Sequence, residues 1–320
     1  MSATSYPPHL YRSSGYAQSF GEWMHPVDLP RAGGYLLARQ WQALGWDLMA
    51  PYPLLSLRKW QYLSTDLANL GESYTSLVAV VDPLADTTPE QLSSTFSDLC
   101  RPFKQHHLVD LQAEPTRHFS SHHRRYAKAA AKAVHVEELS IPCDYLDDWC
   151  ALYDILIQRH EIGGLTRFSR ASFSVLLSLP GCRAFAARSH ASGQIVGMIL
   201  MADAEGDTHY HLGAYNAEGY ASKASFALFA TIINQYARKG YRYLNLGGGA
   251  GFRDDPEDGL ARFKQGWASF SRPTYLVGKI LHRPRYQLWQ NSADALESGF
   301  FPAYRDPSLV KNSQPAPVHA

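Results

Sequence analysis

Residues 208–249 read THYHLGAYNAEGYASKASFALFATIINQYARKGYRYLNLGGG. The stretch changes period twice. Thr208 to Tyr215 follows a turn-forming run, Asp203-Ala204-Glu205-Gly206-Asp207, and reads as a strand. From Ser222 to Gly240, Phe226, Phe229, Ala230, Ile233 and Ala237 fall on one helical face. Arg238 and Lys239 suit the negative end of that helix, and Gly240 is a natural stop. Tyr241 to Leu246 is again a strand, running straight into Gly247-Gly248-Gly249. Upstream, Arg183 to Arg188 and Ile195 to Ala202 are two more strands, parted by His190-Ala191-Ser192-Gly193. The spacing predicts an antiparallel meander, then a helix, then a further strand. This order gives an α+β class with helices packed on mixed sheets, and argues against a purely parallel doubly wound fold.

Working outward, Asp144 to Ile162 is a predicted helix, with Leu146, Trp149, Cys150, Tyr153, Leu156 and Ile157 at helical spacing. The basic segment Ser120 to Val134 precedes it, and short elements follow Gly259. In the first half, Tyr74 to Val81 reads as a strand. Thr88-Pro89-Glu90-Gln91 forms a capping box that opens a helix expected to reach about Lys104. A short strand is predicted around Leu108 to Leu111, and helical character around Leu36 to Leu44. The expected organisation is a loose N-terminus (1–15), an N-terminal domain (16–119), a C-terminal domain (120–290) and a tail (291–320).

Composition narrows the classes. The 320 residues carry 30 Lys plus Arg against 29 Asp plus Glu, a net charge of +1, so no global field draws the chain to nucleic acid or anionic lipid. With 45% hydrophobic and 12% aromatic residues there is enough apolar surface for two cores, and intrinsic disorder is excluded. Cys100, Cys143, Cys150 and Cys182 form no C-x-x-C pair, which fits scattered thiols in a reducing compartment. Met1 to Gly15 lacks an apolar signal core, and the longest apolar runs, such as Val196 to Ala202, fall far short of the roughly 20 residues of a membrane span. A cytoplasmic protein without a membrane span is expected.

Several segments together resemble acyltransferases of the GNAT superfamily, in the branch holding the Fem-type aminoacyltransferases and BioF2-like acetyltransferase domains. They are Tyr210-His211-Leu212-Gly213-Ala214, the helix Ser222 to Gly240, Tyr243-Leu244-Asn245-Leu246-Gly247-Gly248-Gly249, and Arg262-Phe263-Lys264-Gln265-Gly266-Trp267. The basic run Arg124-Arg125-Tyr126-Ala127-Lys128-Ala129 belongs with them. The resemblance covers about 120 to 290 and implies tandem GNAT-like domains. It implies transfer of an acyl or aminoacyl group to an amine, on a nucleotide-linked cell-envelope peptide or sugar precursor. The donor would be acyl-CoA or aminoacyl-tRNA, with no tightly bound cofactor and no DNA partner. One departure stands out. CoA-dependent relatives carry an Arg/Gln-x-x-Gly-x-Gly/Ala loop before the central helix, whose N–H groups meet a pyrophosphate. Here Asn216 to Lys223 occupies that place and does not fit.

The resemblance marks Lys264, within a Phe-Lys-x-x-aromatic pattern, as the residue at the transfer centre, where a fixed cation would stabilise an oxyanion. The bland alternative is a solvated lysine on an amphipathic helix. His209 and His211, two apart on one strand, share a face and are candidates for general base. Gly247, Gly248 and Gly249 permit close backbone approach to substrate. A dinucleotide site is argued against by the acidic run Asp254 to Asp258, which separates the glycines from any helix. Arg124, Lys128 and Lys132 are spaced to stack along one helical face and, with Arg125, could bind phosphates of tRNA or of a nucleotide-linked precursor. Arg159, His160 and Tyr215 complete the candidate substrate contacts. His118 and His122 have metal-ligand spacing but no completing ligand, so no metal site is expected. A non-catalytic GNAT-fold module binding tRNA or a nucleotide-linked precursor is the competing reading.

Overall fold

The computed structural model describes residues 6–42, 45–164, 167–251, 255, 257–292 and 299–306. Their strands are β1 (His25–Leu29), β2 (Gly34–Trp41), β3 (Gly45–Met49), β4 (Ser76–Val80), β5 (Leu99–Asp110), β6 (Val134–Leu139), β7 (Cys182–Ser189), β8 (Ile195–Ala204), β9 (Asp207–Tyr215), β10 (Tyr243–Gly247) and β11 (Phe270–Ile280). The chain divides into two compact units, each built from separate stretches: Met1–Glu22 with Phe103–Thr274, and Trp23–Pro102 with Tyr275–Ala320.

In the first unit β7, β8 and β9 pair antiparallel, as the meander requires, and β6 adds antiparallel to β7. β10 then lies parallel to β9 and antiparallel to β5, so the sheet is mixed. The helix Ala224–Arg238 lays Ala227, Leu228, Ile232 and Ile233 into a core that also takes Phe185, Ile199, Met201, Leu244 and Leu246. It stops as its sequence demands. Gly240 takes φ +78°, and the N–H groups of Gly240 and Tyr241 donate to Ala237 O and Tyr236 O at 3.0 and 3.2 Å, the double bond of a Schellman close. The helix Leu146–His160 packs on β8 and β9 and buries Trp149, Leu152 and Tyr153.

In the second unit β1, β2 and β3 form an antiparallel ribbon, β4 is parallel to β3, and β11 is antiparallel to β4. Helices Leu63–Asn69 and Pro89–Thr95 close one core over Leu36, Leu48 and Leu77. The capping box at Thr88 and Gln91 forms as its sequence predicts.

Four expectations differ from this structure. Leu36 to Trp41 is not helical but belongs to strand β2; Leu36 and Leu37 are both fully buried, and a strand covered on both faces loses the alternation that marks it. Residues 43–44 of that expected helix lie outside the described residues. The helix opened by Pro89 ends at Thr95 rather than Lys104, because strand pairing claims Leu99 to Asp110 and Pro102 could not donate within a helix. Strand β6 answers to no expectation from the sequence, and Lys132 falls beyond the helix Ser121–Ala130, so it does not stack with Arg124 and Lys128. Finally, the boundaries at 15, 119 and 290 do not coincide with the compact units. Leu10 and Tyr11, expected in a loose end, are buried, as is Tyr304 in the expected tail. Residues 307–320 lie outside the described residues.

Candidate active site

Strand β10 registers with β9 only at Leu244 opposite Thr208 and Asn245 opposite His209 among the described residues. On the β5 side its register shifts between Asn245 and Gly247. At this shift the Asn245 Oδ1 accepts the Gly247 N–H at 2.8 Å. Gly247 leaves the strand with φ +80°, a conformation that favours glycine, and the loop Gly247 to Gly251 begins.

That loop is held by two buried ammonium groups. Lys264, 6% exposed, donates to Gly248 O at 2.6 Å. Lys104, 7% exposed, donates to Gly249 O, Ala250 O and Gly251 O at 2.8, 3.0 and 2.5 Å. From the other side the Asp258 carboxylate accepts the Ala250 N–H and also caps the helix Gly259–Gln265 through Leu260 N–H at 2.7 Å. This helix carries Lys264. Its far end is fixed by His123, whose Nε2–H donates to Phe263 O at 2.8 Å while Nδ1 accepts from the Ser120 hydroxyl at 2.7 Å. Burial, with the like charge of Lys104 second, lowers the Lys264 ammonium to about 7, against a smaller opposing pull from Asp258.

A polar network lies beside the loop. Because Asn245 Oδ1 takes the Gly247 N–H, it also accepts from His106 Nδ1–H at 3.2 Å, and Asn245 Nδ2 donates to His209 Nδ1 at 3.2 Å. The Asn245 amide therefore sets the tautomers of both imidazoles. Burial lowers His106 to about 3, with repulsion from Lys264 adding to it. His211 shares a 3.1 Å hydrogen bond with the Tyr11 hydroxyl, and its ring lies among Tyr11, Tyr16 and Phe168. Burial lowers it, too, to about 3.

Residues 117–265, which hold most of this network, match the family described as "Acetyltransferase (GNAT) domain". Over this stretch, a little under half of its length, the chain carries a GNAT-like domain. The mixed sheet flanked by helices is the fold of that family. Among solved structures the chain is similar to FemX, at 13% identity and TM-score 0.66 over 89% of this chain and 96% of that one. It is similar to L-PGS from Bacillus licheniformis, at 15% identity and TM-score 0.58 over 83% of this chain and 86% of that one. A third is the C-terminal domain (DUF2156) of a candidate lysylphosphatidylglycerol synthetase from Agrobacterium fabrum, at 17% identity and TM-score 0.56 over 90% and 94%. At such identities the likeness is one of fold. No curated protein gives a sequence match.

Within the GNAT domain, Lys264 and the three glycines stand together at the end of β10. His209 joins them through Asn245, whereas His211 lies beneath the segment around Tyr11 and Tyr16. Tyr215 is a core residue, its ring against Tyr220 and its hydroxyl raised well above the usual phenol range by burial. Arg159 lies over the Tyr220 ring at 4.2 Å, at the exposed end of its helix beside His160. Arg125 and Lys128 are exposed on the helix Ser121–Ala130, and Arg124 there donates to Phe119 O at 2.7 Å. Residues 254 and 256 of the expected acidic run lie outside the described residues. Sequence reasoning missed Lys104, Asn245 and Asp258 as parts of the site. Lys104 and His106 share one face of β5 with the apolar Leu108, so a polar residue in an inward phase was the available signal. No helix among the described residues is long and apolar enough to cross a membrane.

Proposed function

We propose that the protein transfers an aminoacyl or other acyl group from an activated ester onto an amine of a cell-envelope peptide or sugar precursor. The observation that carries this reading is a GNAT-domain lysine, Lys264, buried and held on Gly248 O where β10 opens into a loop lacking side chains at three successive positions. In such a transfer the amine lone pair attacks the ester carbonyl carbon and the carbonyl oxygen becomes an oxyanion. Collapse breaks the bond to the leaving oxygen, which takes up the proton the amine loses.

Lys264, lowered to about 7, is present in both protonation states near neutral pH. Its neutral form can accept the amine proton, and its ammonium form can face the oxyanion before passing a proton to the leaving group. His211, lowered to about 3 and enclosed by aromatic rings, is poorly matched to the role of base. His209 acts in this scheme through Asn245, by orienting the loop. Exposed Arg125 and Lys128 would meet donor or acceptor phosphates.

An ester donor such as aminoacyl-tRNA is favoured over acyl-CoA by the segment before the central helix. It forms a short helix, Ala217–Ala221, and the N–H groups of Gly219, Tyr220, Ser222 and Lys223 are taken by Asn216, Glu218 and Tyr220. Those donors are not turned toward a pyrophosphate. One fold neighbour is named a lysylphosphatidylglycerol synthetase, after a product that bears a lysyl group.

Purified protein should be offered aminoacyl-tRNA and acetyl-CoA with peptide, amino-sugar and nucleotide-linked amine acceptors, and products followed by mass spectrometry. Turnover is expected with the aminoacyl ester, falling about 10²–10³-fold in Lys264→Met. Unchanged turnover in that variant would remove Lys264 from the chemistry. Binding without turnover across all pairs would favour a non-catalytic module.

A further inference from the structure

Buried lysines are costly, and the first unit holds two of them against one loop. Lys264 has a role in the proposed reaction; Lys104 has none so far. Its Nζ is nevertheless the more heavily engaged, donating to the carbonyls of three successive residues, Gly249, Ala250 and Gly251. With Gly248 O on Lys264, four consecutive carbonyls of the loop turn toward the two ammonium groups. Such a turn of the backbone concentrates negative dipole ends on one side, and the two ammonium groups fixed against it offset them. The same loop has little room to adjust: a Cβ on Gly248 would meet Gln105 O at 3.1 Å and the Lys104 Cβ at 3.4 Å.

We propose that Lys104 is a positioning residue for Lys264: it gathers the loop carbonyls so that Gly248 O holds Lys264 in place, and its charge opposes a second charge there. The inference rests on the reading that Lys264 serves acyl transfer, yet it concerns a property measurable without substrate. Among the described residues, these groups face Lys264. Lys104 and His106 come from β5, Asp258 from the cap of its own helix, and the Tyr210 ring from β9 lies 5.4 Å from Nζ. His123, on the helix Ser121–Ala130, is engaged with Phe263 O and Ser120. Of these, Lys104 is the one whose positive charge acts to lower Lys264, while Asp258 acts to raise it.

The test is an NMR titration of full-length protein carrying isotope-labelled lysine, with Lys264→Arg used to assign the Lys264 signal. In the wild type the Lys264 midpoint should lie well below the ordinary lysine value. Lys104→Gln keeps a donor toward the carbonyls but removes the charge, and should raise the midpoint by about one pH unit or more. Lys104→Met should raise it as well and speed amide exchange at Gly249 to Gly251. Lys104→Arg should restore a midpoint close to that of the wild type. The pH profile of kcat/KM, where turnover is found, should move with the titration.

An unmoved midpoint in a folded Lys104→Gln protein would overturn the proposal, as would an ordinary midpoint in the wild type, which needs no variant to fold. If the midpoint behaves as expected but no donor and acceptor pair turns over, the functional reading fails and the link between the two lysines stands. If turnover is found but the midpoint does not respond to position 104, the reverse holds.

Discussion

Each unit of this protein buries a charged centre, and the two are built on opposite plans. In the second unit Asp47 is fully buried and accepts from Arg39 Nε at 2.9 Å, Tyr304 Oη at 2.9 Å, and Arg305 Nη2 at 2.9 Å and Nε at 2.5 Å. Tyr304 in turn bonds the Ser76 hydroxyl at 2.7 Å, so the carboxylate ties β2, β3, β4 and the segment 303–305 together. Opposite charges answer each other there. In the first unit the buried ammonium groups Lys264 and Lys104 meet mainly backbone carbonyls, and the charge of Lys104 raises the cost of a charge on Lys264. A charge neutralised by its neighbours holds a fold in place; a charge kept poorly neutralised stays ready to give up its proton.

The sharpest way to break this contrast is to remove Asp47. Asp47→Ala leaves two mostly buried guanidinium groups without their carboxylate, and loss of one partner from a buried ion pair costs about 3–5 kcal/mol. Urea unfolding should show a loss of that size, whereas Lys264→Met should lose activity with a stability change nearer about 1 kcal/mol at neutral pH. A loss below about 1 kcal/mol in Asp47→Ala would mean the network is dispensable and the contrast mistaken.

The next effect is smaller and local. Gly247→Ala places an L residue at φ +80°, at a cost of about 1–2 kcal/mol, and sets its Cβ 3.1 Å from Lys264 Nζ. Stability should fall by about that amount, and the Lys264 titration should shift as the ammonium is displaced. An alanine variant with wild-type stability and an unmoved titration would show that the loop tolerates a side chain beside the ammonium.

These two centres also show what the sequence could and could not disclose. The meander, the central helix and the strand before Gly247 are legible because their turns, caps and periods are local. Lys264 and the glycines stand out in the sequence because each lies in a short local motif that the family resemblance singles out. Lys104 lies 160 positions before Lys264 and sits on a strand that reads locally as a helix extension. Asp47, Arg39 and Arg305 likewise share no motif, and only pairing of β2 with β3 and the return of the chain near Tyr304 bring them together. Strand β2 reads as a helix because both its faces are covered, and its alternation vanishes with them. Pairwise closeness across long separations leaves no periodic trace, so charge centres assembled that way escape a reading based on period and motif.

The smallest expected effect bears most directly on the poised lysine, because it measures the cost of its charge in the folded protein. An unfolded lysine keeps its proton up to about pH 10.4, whereas Lys264 in the fold releases it from about 7. Between those values the unfolded state binds more protons, so stability rises with pH through this window and falls again as pH drops toward 7. The slope is at most about 1.4 kcal/mol per pH unit for one such group. Comparing the wild type with Lys264→Met between about pH 8 and 9 cancels the other titrating residues. The wild type should gain about 1 kcal/mol relative to the variant over that unit. Parallel stability curves would mean that Lys264 keeps its proton in the folded state, and the difference between the two centres would then lie in geometry alone.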